Sequence, residues 1–111
     1  MGETINFADF TKVDLRVGTI VQVEDFPEAR NPSYKLKIDF GDLGIKQSSA
    51  QITTLYKKDE LLNRQVVAVV NFPKKQIADY FSECLVLGAV KGKDVILLNP
   101  ENKVINGSVV S

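Results

Sequence analysis

Histidine and tryptophan are absent from these 111 residues, and cysteine occurs once. Without histidine, Cys/His zinc sites and imidazole-activated serine or cysteine nucleophiles are excluded. The lone Cys84 has no partner for an internal disulfide. No apolar run approaches the ~20 residues of a membrane-spanning helix. The opening MGETINFADF also lacks the apolar core of a secretory signal. A cytoplasmic chain with no membrane insertion is expected.

A Gly-rich phosphate loop is missing too, since Gly41 and Gly44 are not followed by Gly-Lys-Ser/Thr. Glu24-Asp25 and Asp59-Glu60 read as exposed charges rather than an acid–base pair. Lys74 or Lys75 with Ser82 is the one conceivable base–nucleophile arrangement, and nothing obvious supplies an oriented base or an oxyanion hole. Neither catalysis nor a cofactor is expected. Net charge is absent as well, with 14 basic and 14 acidic residues, which argues against an indiscriminate nucleic-acid coat. The distribution is uneven: residues 1–32 carry net −3, residues 33–75 net +4 and residues 76–111 net −1. The cationic middle is either a local binding face or a solvated surface.

What is present reads as one small β-rich domain over residues 1–111. With 44% apolar residues it can bury a core, and its folded surface should be roughly 6,100 Å². Val13, Leu15, Val17, Val21 and Val23 share one parity, with Asp14, Arg16, Gln22 and Glu24 on the other. Gly18 and Ile20 interrupt that alternation and predict a bulge or sharp bend near Gly18. One long bent strand serving two sides of a barrel would read this way. Leu36, Ile38 and Phe40 alternate with Lys35, Lys37 and Asp39, a strand with one wet face. Thr53 to Arg64 predicts a short helix with Leu55, Leu61 and Leu62 as its apolar stripe. Val66 to Val70 is apolar on both faces and should be buried on both, so a helix, a terminal extension or a second subunit must cover the outer one. Leu85–Leu87 and Val95–Leu98 predict two further strands around a Gly92-Lys93 turn. The tail, with Val104, Ile105, Val109 and Val110, is too apolar to hang free and should pack, with a dimer seam as a place for it. Five strands with a helix between the third and fourth suit an OB-fold barrel. The expected class is all-β: a five-stranded OB-fold barrel with one short helix and terminal extensions.

The binding chemistry centres on Asn71-Phe72-Pro73-Lys74-Lys75 followed by Ser82-Glu83. A strand running into a Pro-stopped turn with two lysines offers positive charge and polar donors at the mouth of a β-structure. Lys74 and Lys75 either meet phosphates or merely solubilise the turn. Asn71 either reads a base edge or peptide amide, or caps the turn backbone. Ser82 and Glu83 either contact ligand, or cap the strand start and pair with a nearby lysine. Lys35 and Lys37 share the wet strand face, where such a barrel presents nucleic acid. Tyr34 and Phe81 either stack a base or serve as core or dimer aromatics. Asp14 and Arg16 should pair with cross-strand neighbours, and Cys84 should be a small core residue.

Val13-Asp14-Leu15-Arg16-Val17-Gly18-Thr19-Ile20, Asn71-Phe72-Pro73 and Ser82-Glu83, together with Phe26-Pro27-Glu28-Ala29-Arg30 and the Gly44–Thr53 block, resemble one family. It is the tRNA-binding OB-fold domain, found free-standing and appended to methionyl-tRNA and other synthetases. Within it the chain is most similar to the CsaA-type proteins, described as secretion chaperones, over roughly residues 7–110. The resemblance implies a non-catalytic homodimer that uses terminal segments at its interface and binds tRNA through Lys35, Lys37, Asn71, Lys74, Lys75, Ser82 and Glu83. Its alternative implication is an export chaperone holding unfolded or presecretory proteins in the dimer cleft. Action beside an aminoacyl-tRNA synthetase is a third. Synthetase-appended members often carry Gly after the basic turn and Gly-Met after the Ser. Here Ile77–Phe81 and Cys84-Leu85 stand instead, which favours the CsaA branch.

Overall fold

Strict alternation in the second strand organises the core. Leu36, Ile38 and Phe40 have no exposed surface, whereas Lys35, Lys37 and Asp39 between them reach outward. The computed structural model describes residues 2–111. Strand β1 (Leu15–Asp25) pairs antiparallel with β2 (Tyr34–Asp39) through Thr19–Asp25. Strand β3 (Ile45–Ala50) pairs with β2 along its whole length. Helix α2 (Lys58–Leu61) leads into β4 (Gln65–Val69), which pairs with the first half of β1 over Leu15–Thr19. One long strand thus serves two sides of the barrel, as the sequence predicts.

Two hairpins follow: β5 (Lys75–Ile77) with β6 (Tyr80–Ser82), and β8 (Gly88–Lys91) with β9 (Asp94–Leu97). Between them β7 (Leu85–Val86) pairs with β4, giving the order β3-β2-β1-β4-β7. Three bonds draw β3 toward the residues before β7. Glu83 N donates to Gln47 O (2.8 Å), Gln47 N donates to Glu83 Oε1 (3.0 Å) and Ser48 Oγ donates to Cys84 O (2.9 Å). The sheet therefore nearly closes, and the chain is an all-β barrel of OB type with two short helices. No helix among the described residues is long and apolar enough to cross a membrane.

The structure corrects three local expectations. The bulge lies at Val21, where the β1–β2 register shifts between Ile20 and Gln22, and not at Gly18, which pairs regularly with Val66. Gly18 instead permits close approach, because a Cβ there would sit 2.7 Å from Ile38 Cγ2 and Phe40 Cδ1. Helix α2 buries Leu61 alone. Leu55 precedes it and Leu62 leaves it in extended backbone, both exposed. The helix stops after one turn as Leu62 turns extended, and Asn63, with a left-handed φ of 69°, then sends Asn63 N and Arg64 O back to bond Ile20. At the N-terminus, helix α1 (Phe7–Thr11) forms where the sequence reading expects only an extension. Asn6 Oδ1 accepts from Asp9 N, and the Asp9 carboxylate accepts from Asn6 N, a capping box.

The tail does pack, largely through polar bonds. Gln65 Nε2 donates to Val104 O (2.7 Å) while its Oε1 accepts from Val104 N (3.1 Å), and Gly107 N donates to Val17 O (2.7 Å). Strand β10 (Val109–Val110) then adds to β1. Ile105 and Val109 still point outward, 85% and 65% exposed. Buried side-chain polar atoms among the described residues all have partners, which is what a small core tolerates.

Candidate nucleic-acid interface

The wet face of β1–β2–β3 is a ladder set by register. Glu24, Lys35 and Ser49 lie across from one another, and Gln22, Lys37 and Gln47 form the next rung. The Lys35 ammonium sits 4.9 Å from the Phe26 ring centre and 5.2 Å from that of Tyr80. Those rings meet edge to face with centroids 5.4 Å apart, so they hold the cation in place. Tyr80 donates its hydroxyl to Leu36 O at 3.2 Å. Burial first, then Cys84, Glu24 and Glu83 nearby, push that hydroxyl from 10.0 to about 12, so it stays a neutral donor. Gln22, Glu24, Lys35, Lys37, Gln47 and Tyr80 enclose most of a 210 Å³ cavity.

The hairpin β5–β6 stands beside it. Register sets Lys75 opposite Ser82, whose Oγ donates to Cys84 O at 3.1 Å. Lys74 Nζ lies 3.8 Å from Glu83 Oε2, a long contact between an exposed lysine and a half-buried carboxylate that contributes little to stability. Phe72, Pro73, Lys75, Ser82, Cys84 and Leu85 line a second cavity of 280 Å³. Gln47 joins the two regions, since its backbone N–H reaches Glu83 and its Nε2 donates to Phe81 O at 2.7 Å. Lys35, Lys37, Lys74, Lys75, Ser82 and Glu83 thus share one continuous region.

Asn71 faces elsewhere. Its Oδ1 accepts from Asp14 N (2.9 Å) and its Nδ2 donates to Lys12 O (2.7 Å), fastening the segment after α1. Tyr34 is a core residue with its hydroxyl on Tyr56 O, whereas Phe81 and Phe72 are about half exposed. Arg16 and Asp14 pair with each other at 2.7 Å rather than across strands, and Arg16 Nη1 also donates to Gly107 O. The sequence reading missed Gln22, Glu24, Gln47 and Tyr80, and it named Phe72 only as part of the Asn71–Lys75 stretch. Tyr80 was within reach of simple alternation, sharing parity with Ser82 on the same strand. Among the described residues no group of three or more potential metal-ligating side chains gathers.

Cys84 is buried, as expected, and desolvation pushes its thiol from 9.0 up to about 11, against the lowering effect of a Ser48 hydrogen bond. Raised folded values make stability present below pH ~9 and lost as pH rises toward ~11, because the unfolded thiol ionises first. Urea midpoints should therefore fall between pH 8 and 11, and Cys84→Ala should make the fall shallower. An equally steep fall in that variant would assign the effect elsewhere.

A family model described as a putative tRNA binding domain matches residues 15–109. The crystal structure of chaperone CsaA from Bacillus anthracis str. Ames is 52% identical, with a TM-score of 0.94 over 98% of this chain and 100% of that one. The CsaA chaperone protein from Picrophilus torridus is 55% identical, with a TM-score of 0.91 over 97% and 100%. The methionine–tRNA ligase of Thermococcus onnurineus (strain NA1) is 41% identical over 106 residues. That match takes in 96% of this chain and 14% of the ligase, so the chain spans a small part of the curated relatives it matches.

Proposed function

The chain belongs to the putative tRNA-binding domain family, and from that premise we propose that it is a non-catalytic, cytoplasmic tRNA-binding protein. One observation carries the reading: Lys35 and Lys37 lie side by side on the wet face, and neither forms an ion pair among the described residues. Lys74, Lys75 and Ser82 extend that positive surface around the barrel mouth. Glu83 shapes the mouth by joining β3 to the hairpin, whereas Asn71 fixes the N-terminal segment away from it. Recognition by backbone and shape follows from the Lys35 and Lys37 ammonium groups, which no carboxylate among the described residues neutralises, presented on a rigid sheet. Likeness to part of a methionine–tRNA ligase supports action beside a synthetase in trans, which co-purification would test.

Anisotropy titration of labelled bulk tRNA at low and then about fourfold higher salt tests the reading. Binding that weakens steeply with salt is expected. Absence of binding at low salt would sink it.

A second reading, export-chaperone activity in a homodimer, is favoured by the CsaA neighbours and by apolar exposure. The chain exposes 7537 Å², roughly 1,400 Å² more than a compact monomer of its mass. A standard interface removes ~800 Å² per partner. Phe7, Ile105 and Val109 supply outward apolar side chains on the terminal segments. Phe72 and Leu85, about half exposed at the second cavity, would hold an extended client. Sedimentation should give a dimer that becomes monomeric on Ile105→Asp with Val109→Asp, and protection of an aggregating client should fall with it. A wild-type monomer, or full protection by the monomeric variant, would rule against this arrangement.

A further inference from the structure

The 210 Å³ cavity on the wet face has a composition that backbone binding alone does not require. Phosphate recognition calls for cations, yet here a carboxylate stands directly opposite a lysine: Glu24 and Lys35 are cross-strand partners. They form no ion pair among the described residues. The Lys35 ammonium is instead drawn over the Phe26 and Tyr80 rings, and Glu24 accepts from Gln22 Nε2. A fixed cation and a fixed acceptor are therefore presented side by side, with amide groups from Gln22 and Gln47 on the neighbouring rung. The cavity is smaller than the ~300–1,000 Å³ of sites for drug-sized molecules, and its size suits one ring system.

We infer that this cavity is a single-nucleotide subsite that takes one unstacked guanine from a single-stranded segment of the bound RNA. Every base edge offers some donor and some acceptor. Guanine alone sets two adjacent N–H donors, N1–H and N2–H, beside the O6 acceptor. Glu24 accepts from the two donors while Lys35 donates to O6, the same complementarity by which lysine and carboxylates read base edges in duplex grooves. Tyr80 supplies an aromatic wall, and Lys37 is left for the flanking phosphate. The inference rests on the RNA-binding reading and adds a base preference to it.

The test is competition against labelled tRNA by uridine octamers carrying one central G, A or C, with all-U as reference. The central G should raise affinity at least about fivefold over the other three, the low end for one bidentate base contact. Glu24→Gln keeps the side chain's size but only one acceptor and no charge, so it should cut the G advantage severalfold. NMR titration should show the Tyr80 ring resonances moving with the G octamer. Equal affinity for all four octamers, or a G preference undiminished by Glu24→Gln, overturns the subsite and leaves tRNA binding standing. No binding of any RNA overturns both, whereas an unfolded client peptide, and not the G octamer, moving the Tyr80 resonances overturns the subsite alone.

Discussion

Replacing Lys35, Lys37, Lys74 and Lys75 together with alanine should weaken tRNA binding about a hundredfold at ~0.1 M salt. A phosphate that no lysine neutralises keeps its condensed counterion, so the plot of log affinity against log salt should become shallower by about 3. The affinity loss is set below the full electrostatic value because Lys74 already leans on Glu83 at 3.8 Å. That ion pair predicts a change of opposite sign. Glu83→Gln keeps an acceptor for Gln47 N but removes the charge beside Lys74, and should tighten tRNA binding a few-fold. The four lysines are exposed or half-buried, so the variant should fold, and only Lys35 gives up a cation–π interaction of ~0.5–1 kcal/mol. An unchanged salt slope in the folded variant would move the RNA contacts off this face.

How much of this was legible in the sequence depends on the range of the interaction concerned. Leu36, Ile38 and Phe40 against Lys35, Lys37 and Asp39 is a period-two pattern, and burial on one sheet face enforces it. Val66 to Val70 likewise announced a strand covered on both sides, and the structure leaves these five buried or half-buried. The lysines of the face were legible because a wet strand must expose them. Their neighbours were not. Gln22, Glu24 and Gln47 join the site through register across three strands, and the Val21 bulge that sets part of that register leaves no mark in composition. Asn71 shows the same limit. Its position after a buried strand suggested a role at the mouth, but its two polar atoms bond residues 57 and 59 positions away. Leu55 and Leu62 fit a helical stripe, yet the helix begins only at Lys58, after Leu55, and Leu62 already leaves it in extended backbone.

Gly18 was legible as an irregularity and misleading as to its kind, and its true role gives the other large effect. Gly18→Ala should destabilise the fold by about 2–3 kcal/mol, near the upper end of the usual cost of overpacking. The added methyl would lie 2.7 Å from Ile38 Cγ2 and Phe40 Cδ1, both side chains fully buried and without free space to yield. The entropy that alanine removes from the unfolded chain offsets at most ~1 kcal/mol of this. For a domain of this size the melting temperature should fall by about 10 °C or more. If crowding against Phe40 is the cause, Phe40→Leu should partly relieve it. The double variant should then be less destabilised than the two single costs together, with coupling of ~0.5–3 kcal/mol. Strict additivity would mean that the penalty arises in the backbone. The distinction reaches the binding face, because β1 crosses β2 beside Gly18 and the same pairing holds Glu24 opposite Lys35. A substitution that pushes β1 away from β2 should therefore loosen the Glu24–Lys35 rung before the barrel unfolds, lowering any G preference at temperatures where the fold is still intact.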